Sequence, residues 1–193
     1  MTAMRTTRHR AARTSASRRR NPRRLAAACG AAFVTACAAA LVAAPARAEP
    51  ALYAIDPSHT FVTFEAVHLG ISTLRGRFDK VRGSVALDAA ARSGTVTITI
   101  DTASLSTGSP ALDARLKGPD FLDTDAHPSA TFVADRFGHA GDAVDEVTGT
   151  LTLLGASQPV TLKARRYRCY LNPLFKRETC GGDFEATIVR SRY

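Results

Sequence analysis

From residue 50 onward the sequence predicts an all-β fold, with antiparallel strands around one core and a single short helical insertion. Three observations carry this. Apolar and polar residues alternate with a period of two through most of the region. Turn-forming clusters cut that alternation into short runs: "ARSG" (91–94), "HAGD" (139–142) and "LGASQP" (154–159). No long helical pattern separates the runs, so helical crossovers and a parallel sheet are not expected.

Residues 1–48 stand apart from this pattern. They hold ten arginines (5, 8, 10, 13, 18, 19, 20, 23, 24 and 47) and no acid. The apolar stretch "LAAACGAAFVTACAAALVAA" (25–44) follows the basic part, and "ARA" (46–48) fits cleavage after Ala48. Basic region, apolar run and small residues are the order of a secretory signal. An apolar run of about twenty residues is also long enough to span a membrane. Pro45 and the small residues at once after it favour removal, so residues 49–193 are expected as one exported domain, outside the cytoplasm.

The charge then changes its meaning. The whole chain carries a formal +9, which by itself points to nucleic acid. Removing ten arginines from 26 basic residues leaves 16 against 17 acids, a net charge of −1 from residue 49 on. A basic nucleic-acid surface is therefore not expected. Two of the four cysteines, Cys29 and Cys37, fall in the leader. Cys169 and Cys180 remain, and an even count in an oxidising compartment favours one disulfide between them.

The elements follow in order. "YAIDPSHTFVTFEAVHLGISTLRGRF" (53–78) is aromatic and β-branched and opens the domain. "TVTITI" (95–100) sets Val96, Ile98 and Ile100 against three threonines. "SPALDARLKGPDFL" (109–122) breaks the period. Ser109 is an N-cap candidate, Pro110 fits the first helical position, Gly118 is a stop, and Leu112 and Leu116 share a face. "VTGTLTL" (147–153) turns Val147, Leu151 and Leu153 to one side. "PVTLKAR" (159–165) does so with Val160, Leu162 and Ala164, and "FEATIVR" (184–190) with Phe184, Ala186 and Ile188. Strands with one apolar face need a second sheet or closure into a barrel to bury it.

Chemistry is thinly signposted. His59 and His68 are nine residues apart, and on one continuous strand an odd separation puts them on opposite faces. His127 precedes a proline in a turn pattern and His139 lies in a loop pattern, with no HxH or HExxH spacing. Glu65 with Asp56, or Asp120, Asp123 and Asp125, could be imagined as acid/base pairs, but loop acids are usually just solvated. There is no G-x-S-x-G elbow and no Gly-rich phosphate loop. No catalytic residue and no metal ligand is assigned. "RRYR" (165–168) near "FKR" (175–177) is basic with aromatics and suits an anionic head group or a solvated strand end.

Five blocks in order resemble the YceI-like domain, a family of periplasmic proteins associated with binding long isoprenoid lipids. They are the 53–78 segment, "TVTITIDTASLSTG", "LDARLKGPDFLDTDAHPSATF", "VTGTLTLLGASQPVTL" and "CGGDFEATIVRS". The resemblance implies a lipocalin-like antiparallel barrel around an apolar tunnel, with "DPSHTFVTFEAVHLG" as its first strand and "GISTLRGRF" as the turn into the second. It implies a long-chain isoprenoid lipid or quinone tail as ligand, no enzymatic activity and no cofactor. Family members usually continue past "RS" through a closing segment, whereas this chain stops at Tyr193. A barrel lacking its final strand segment is thus expected, with open edges at 183–190 and near 59–68. Dimerisation through those edges is the expected escape, and no protein partner is named.

Alternation assigns the tunnel wall to Val96, Ile98, Ile100, Phe132, Leu151, Leu153, Val160, Leu162 and Phe184. Burying ten methylenes is worth about 8 kcal/mol, at ~0.8 each, while association costs on the order of 4–15. A short chain would therefore bind weakly and a long prenyl tail usefully. Two rivals stand beside the carrier: an envelope enzyme acting on a lipid head group through His59 or Glu65, and a structural barrel whose core is filled by side chains.

Overall fold

The computed structural model describes the backbone of residues 2–5 and all of residues 49–193. Apart from residues 2–5, the leader, its apolar run and the cleavage point after Ala48 lie outside the described residues.

The strands in chain order are β1 (Thr2–Arg5), β2 (Ala51–Ile55), β3 (Val62–His68), β4 (Ser72–Phe78), β5 (Val81–Asp88), β6 (Ser93–Asp101) and β7 (Leu105–Ser106). The helix α1 (Pro110–Lys117) follows, then β8 (Ser129–Ala140), β9 (Ala143–Leu153), β10 (Ala156–Asn172) and β11 (Arg177–Glu185). Seven of them, in the order β11-β10-β9-β8-β6-β5-β2, curl into an antiparallel wall, and β1 lies between the two outermost and closes the ring. The antiparallel all-β fold is the one the strand pattern predicts, and its lipocalin-like curl is the one the family resemblance implies. The helix also falls where expected. Ser109 holds its N-cap position without a side-chain cap bond. Asp113 ties down the approach to the helix by accepting from the Thr107 amide at 2.7 Å and its hydroxyl at 2.6 Å.

Register explains the core. Ile98 stands opposite Phe132, and Phe132 opposite Leu151, so one rung crosses three strands. The rung beside it runs Val96, Ala134, Gly149, Val160. Gly149 is required there, because a Cβ would sit 2.3 Å from the Val133 carbonyl oxygen and 2.5 Å from the Ala134 methyl.

Three expectations are corrected. The segment 53–78 does not give the first barrel strand and a turn into the second. Asp56 and Pro57 end β2 in a turn, and the chain then leaves the ring to form the β3–β4 hairpin, which pairs with β7 in a separate three-stranded sheet. Burial fades along β3, and its last residues are exposed on both faces. The strand expected over 184–190 stops at Glu185. The last β10 residue facing it is Lys163, so residues 186–189 have no ladder partner, and a short 3-10 turn, Arg190–Arg192, ends the chain. That tail crosses to the loop after α1, where the Arg190 guanidinium donates to the Phe121 carbonyl. Finally, of the two edges expected to flank the gap, 183–190 falls on the end of β11, whereas the other edge is β2 and not 59–68. Neither edge is open, since Ala3 of β1 pairs with both Ile55 and Cys180.

Candidate functional site

One end of the ring carries the turns 88–93, 140–143 and 172–177 and the start of β2. A cavity of about 70 Å³ opens inside the wall near this end, lined mainly by aliphatic and aromatic side chains. All nine residues expected to line the wall belong to the apolar core or pack against it. Five of them, Val96, Ile98, Phe132, Leu162 and Phe184, border the cavity. Ile100, Leu151, Leu153 and Val160 pack deeper, toward the opposite end.

Sequence reasoning missed several liners, among them Tyr53, Ile55, Val85, Leu87 and Tyr167. The apolar runs "LYAI" and "VAL", ended by Asp56 and Asp88, carry the signal for the first four. Tyr167 had no such signal. Continuing the alternation from Leu162 and Ala164 would turn Arg166 inward, but a bulge between Ala164 and Arg166 shifts the parity and points Tyr167 inside. Its ring meets Phe184 edge-on at 6.1 Å. Burial pushes the Tyr167 hydroxyl's pKa up, and the nearby Glu178 carboxylate adds to the rise.

The wall parts on one side of this cavity. β9 and β10 pair only as far as Glu146 and Lys163. Beyond that point β9 pairs with β8 alone, and β10 continues to Asn172 with β11 as its partner. Val144 and Phe137 on one lip face Tyr167, Gly182 and Phe184 on the other across the cavity. The disulfide sits on the second lip. Cys169 and Cys180 are directly opposed on β10 and β11 with Cα atoms 4.0 Å apart, as the cysteine count predicts, and Cys180 borders the cavity. Tyr53, another liner, donates its hydroxyl to Glu178.

The cavity is small for a ligand. It holds less than half the ~150 Å³ that accepts one benzene. A long chain does not fit within this volume as it stands.

The histidines and acids lie elsewhere. His59 is not on a strand but in the turn after β2, so the odd-spacing argument does not apply to it. Asp56, Ser58 and His59 superficially resemble a hydrolase triad. However, the Ser58 hydroxyl and the Asp56 carboxylate meet the same ring nitrogen, Nδ1, at 3.0 and 2.7 Å, and Ser58 also donates to Asp56 at 2.6 Å. A triad needs the imidazole between its partners, one on each nitrogen. Glu65 pairs with Arg75 across β3 and β4 at 2.7 Å in solvent. Neither His59 nor Glu65 borders the cavity. Among the described residues no three His, Cys, Asp or Glu side chains gather as a metal site would require.

A sequence model of the YceI-like domain matches residues 53–193, most of the chain and all of the ring from the middle of β2 onward. The chain belongs to the YceI-like family. Its relatives include a UPF0312 protein of Pseudomonas aeruginosa (strain UCBPP-PA14), 40% identical over 122 residues, covering 62% of this chain and 63% of the relative. Protein YceI of Escherichia coli O157:H7 is 40% identical over 116 residues, covering 58% of this chain and 60% of the relative. The matches thus span less than two thirds of these YceI-like relatives. Among solved structures, a mutant YceI protein of Campylobacter jejuni superposes with a TM-score of 0.50 at 22% identity, covering 70% of this chain and 97% of the other. That likeness shows a shared YceI fold.

Proposed function

We propose that this protein is a non-enzymatic binder of a long-chain polyisoprenoid or similar amphiphilic lipid, and that it carries or stores that lipid in the periplasm. The observation that carries the reading is the apolar cavity set against a wall that parts between β9 and β10. Family membership supports the lipid class. A slender prenyl tail matches the site: it needs length rather than width, and a small antiparallel barrel has room for one narrow ligand. The nine wall residues would contact the tail, the five cavity liners first and the deeper four once the lips have moved. The head group would stay near Tyr53 and Tyr167, at the end where the turns gather. The leader's order of basic, apolar and small residues supports export.

The experiment is organic extraction of protein purified from the envelope, followed by mass spectrometry. A stoichiometric long-chain lipid supports the carrier. One observation favours a second reading, in which the barrel is structural and its core is filled. The cavity of about 70 Å³ is small enough to be ordinary packing slack. An extract with no lipid, from protein that also fails to take up a fluorescent prenyl probe, selects the filled core.

A further inference from the structure

Two hairpin tips hold large apolar side chains in solvent. At the β3–β4 turn these are Val67, Leu69 and Ile71. At the β10–β11 turn they are Tyr170, Leu171, Leu174 and Phe175, with Leu174 84% exposed. The tips differ in charge. Beside the first, Glu65 is matched by Arg75. On the second hairpin the inner arginines are matched, Arg165 by Glu185 and Arg166 by Asp183. Further out, Arg168, Lys176 and Arg177 form no ion pair among the described residues. The acid beside them, Glu178, receives the Tyr53 hydroxyl. The outer hairpin is therefore apolar at its apex and cationic around it.

The apex is also firmly built. The Asn172 side chain accepts from the backbone amides of Leu174 at 2.9 Å and Phe175 at 3.3 Å. The Lys176 amide closes the turn onto the Asn172 carbonyl at 2.8 Å. An Asx-type turn of this kind holds Leu174 and Phe175 outward. The hairpin projects past the cavity: from Tyr167 to Asn172 the strand advances ~16 Å at about 3.3 Å per residue.

We propose that this hairpin docks the protein on an anionic phospholipid bilayer. Leu174 and Phe175 enter the boundary between head groups and acyl chains, while Arg168, Lys176 and Arg177 meet lipid phosphates. Apolar side chains ringed by cations partition into such interfaces, and each cation near an anionic surface adds to the attraction. Charge selects this tip over the β3–β4 tip, which is rooted at the opposite end of the ring and has no surplus of cations. Docking here would set the parted lips of β9 and β10 against the lipid. That purpose rests on the lipid-binding reading, but the docking itself does not.

The sequence contains no tryptophan, so a single introduced one reports its own surroundings. The full chain with Leu174→Trp, and a second with Phe175→Trp, is mixed with vesicles of phosphatidylglycerol and phosphatidylethanolamine. Emission shifts to the blue and is quenched by lipids brominated in the acyl chain. Ile71→Trp, at the other tip, stays unchanged. Attachment through another segment does not imitate this, because the fluorophore reads local depth. Adding Lys176→Gln and Arg177→Gln lowers partitioning about thirtyfold, the effect of two surface cations. Three results would each overturn the proposal: no shift at 174 and 175, an equal shift with phosphatidylcholine alone, or an equal shift at 71. A shift that appears without vesicles as protein concentration rises assigns the tip to a second copy of the chain instead. Lipid found by extraction from a protein whose tip does not insert would leave the cargo reading standing and remove only the docking.

Discussion

Asp56 shows how much one side chain can settle locally. Its carboxyl pKa is lowered from 3.8 to about 2, mainly by the Ser58 hydroxyl and next by the His59 ring. A carboxyl whose folded pKa is depressed supports the fold fully above its unfolded value and loses that support as pH falls through the folded one. The turn after β2 should therefore hold down to about pH 4 and loosen toward pH 2. An NMR titration of the Asp56 carboxyl carbon should give a midpoint near 2, and a midpoint near 4 would show that these hydrogen bonds do not persist in solution. Inside the wall, Phe132 is 5% exposed at the centre of its rung, and Phe132→Ala should cost about 3–5 kcal/mol in denaturant unfolding. Gly149→Val should also destabilise, by about 1–3 kcal/mol for overpacking, because a Cβ at 149 meets backbone that cannot swing aside. Residues like Phe132 and Ile98 are legible in a sequence because threonine marks the wet face beside them. Tyr167 is not, because one extra residue in a bulge reverses inside and outside and leaves no trace in composition.

Among the elements, those with local causes were the legible ones. Pro110 and Gly118 bound α1, and alternation marks β6, β9 and the first part of β10. The β3–β4 hairpin was not legible as a separate sheet, since its aromatic, β-branched residues look like barrel strand until the exposure of both faces is seen. The end of β11 was misread for the opposite reason. Residues 186–189 alternate correctly but have no strand beside them, and pairing is a property of the neighbours. The β10–β11 hairpin carries a prediction of its own. Cys169 and Cys180 are 11 residues apart, so their bond should stabilise by slightly less than the ~3 kcal/mol expected for a 15-residue loop. Thiol labelling of the denatured, unreduced protein should find neither cysteine of this pair. Reduction should lower the unfolding midpoint and speed amide exchange first in the outer hairpin, beyond the pairing with β1 and β9. Labelling of both would remove the covalent tie from this account.

For the molecule as a whole, the ring is legible as an architecture but its closure is not. Alternation says that an apolar face must be covered, yet nothing in a strand's own residues says which distant segment pairs with its edge. Here that segment is β1, between β11 and β2. If the leader is removed after Ala48, as its composition leads us to expect, β1 leaves with it, and the edges of β2 and β11 lose their partner. N-terminal sequencing of envelope material should then begin at Glu49. Amides of β2 and β11 should exchange faster in that form than in the full chain, and equal exchange would mean that another strand has taken the place of β1. The same pairing has a consequence in time. Hairpins such as β10–β11 close short loops, whereas Ala3 and Cys180 are 177 positions apart (180 minus 3). Each doubling of loop length costs ~0.6 kcal/mol, so four doublings from 11 residues make this closure roughly 2.4 kcal/mol harder to nucleate. The meander of hairpins should form early and the seam last. Until then the inner wall stands open along its whole length, and a tail met at that stage is enclosed without any lip having to part. Refolding the full chain, β1 included, with a prenyl lipid present should therefore load it faster than incubating the folded full chain with the same lipid. Equal loading rates would show that the finished barrel opens as readily as the unfinished one.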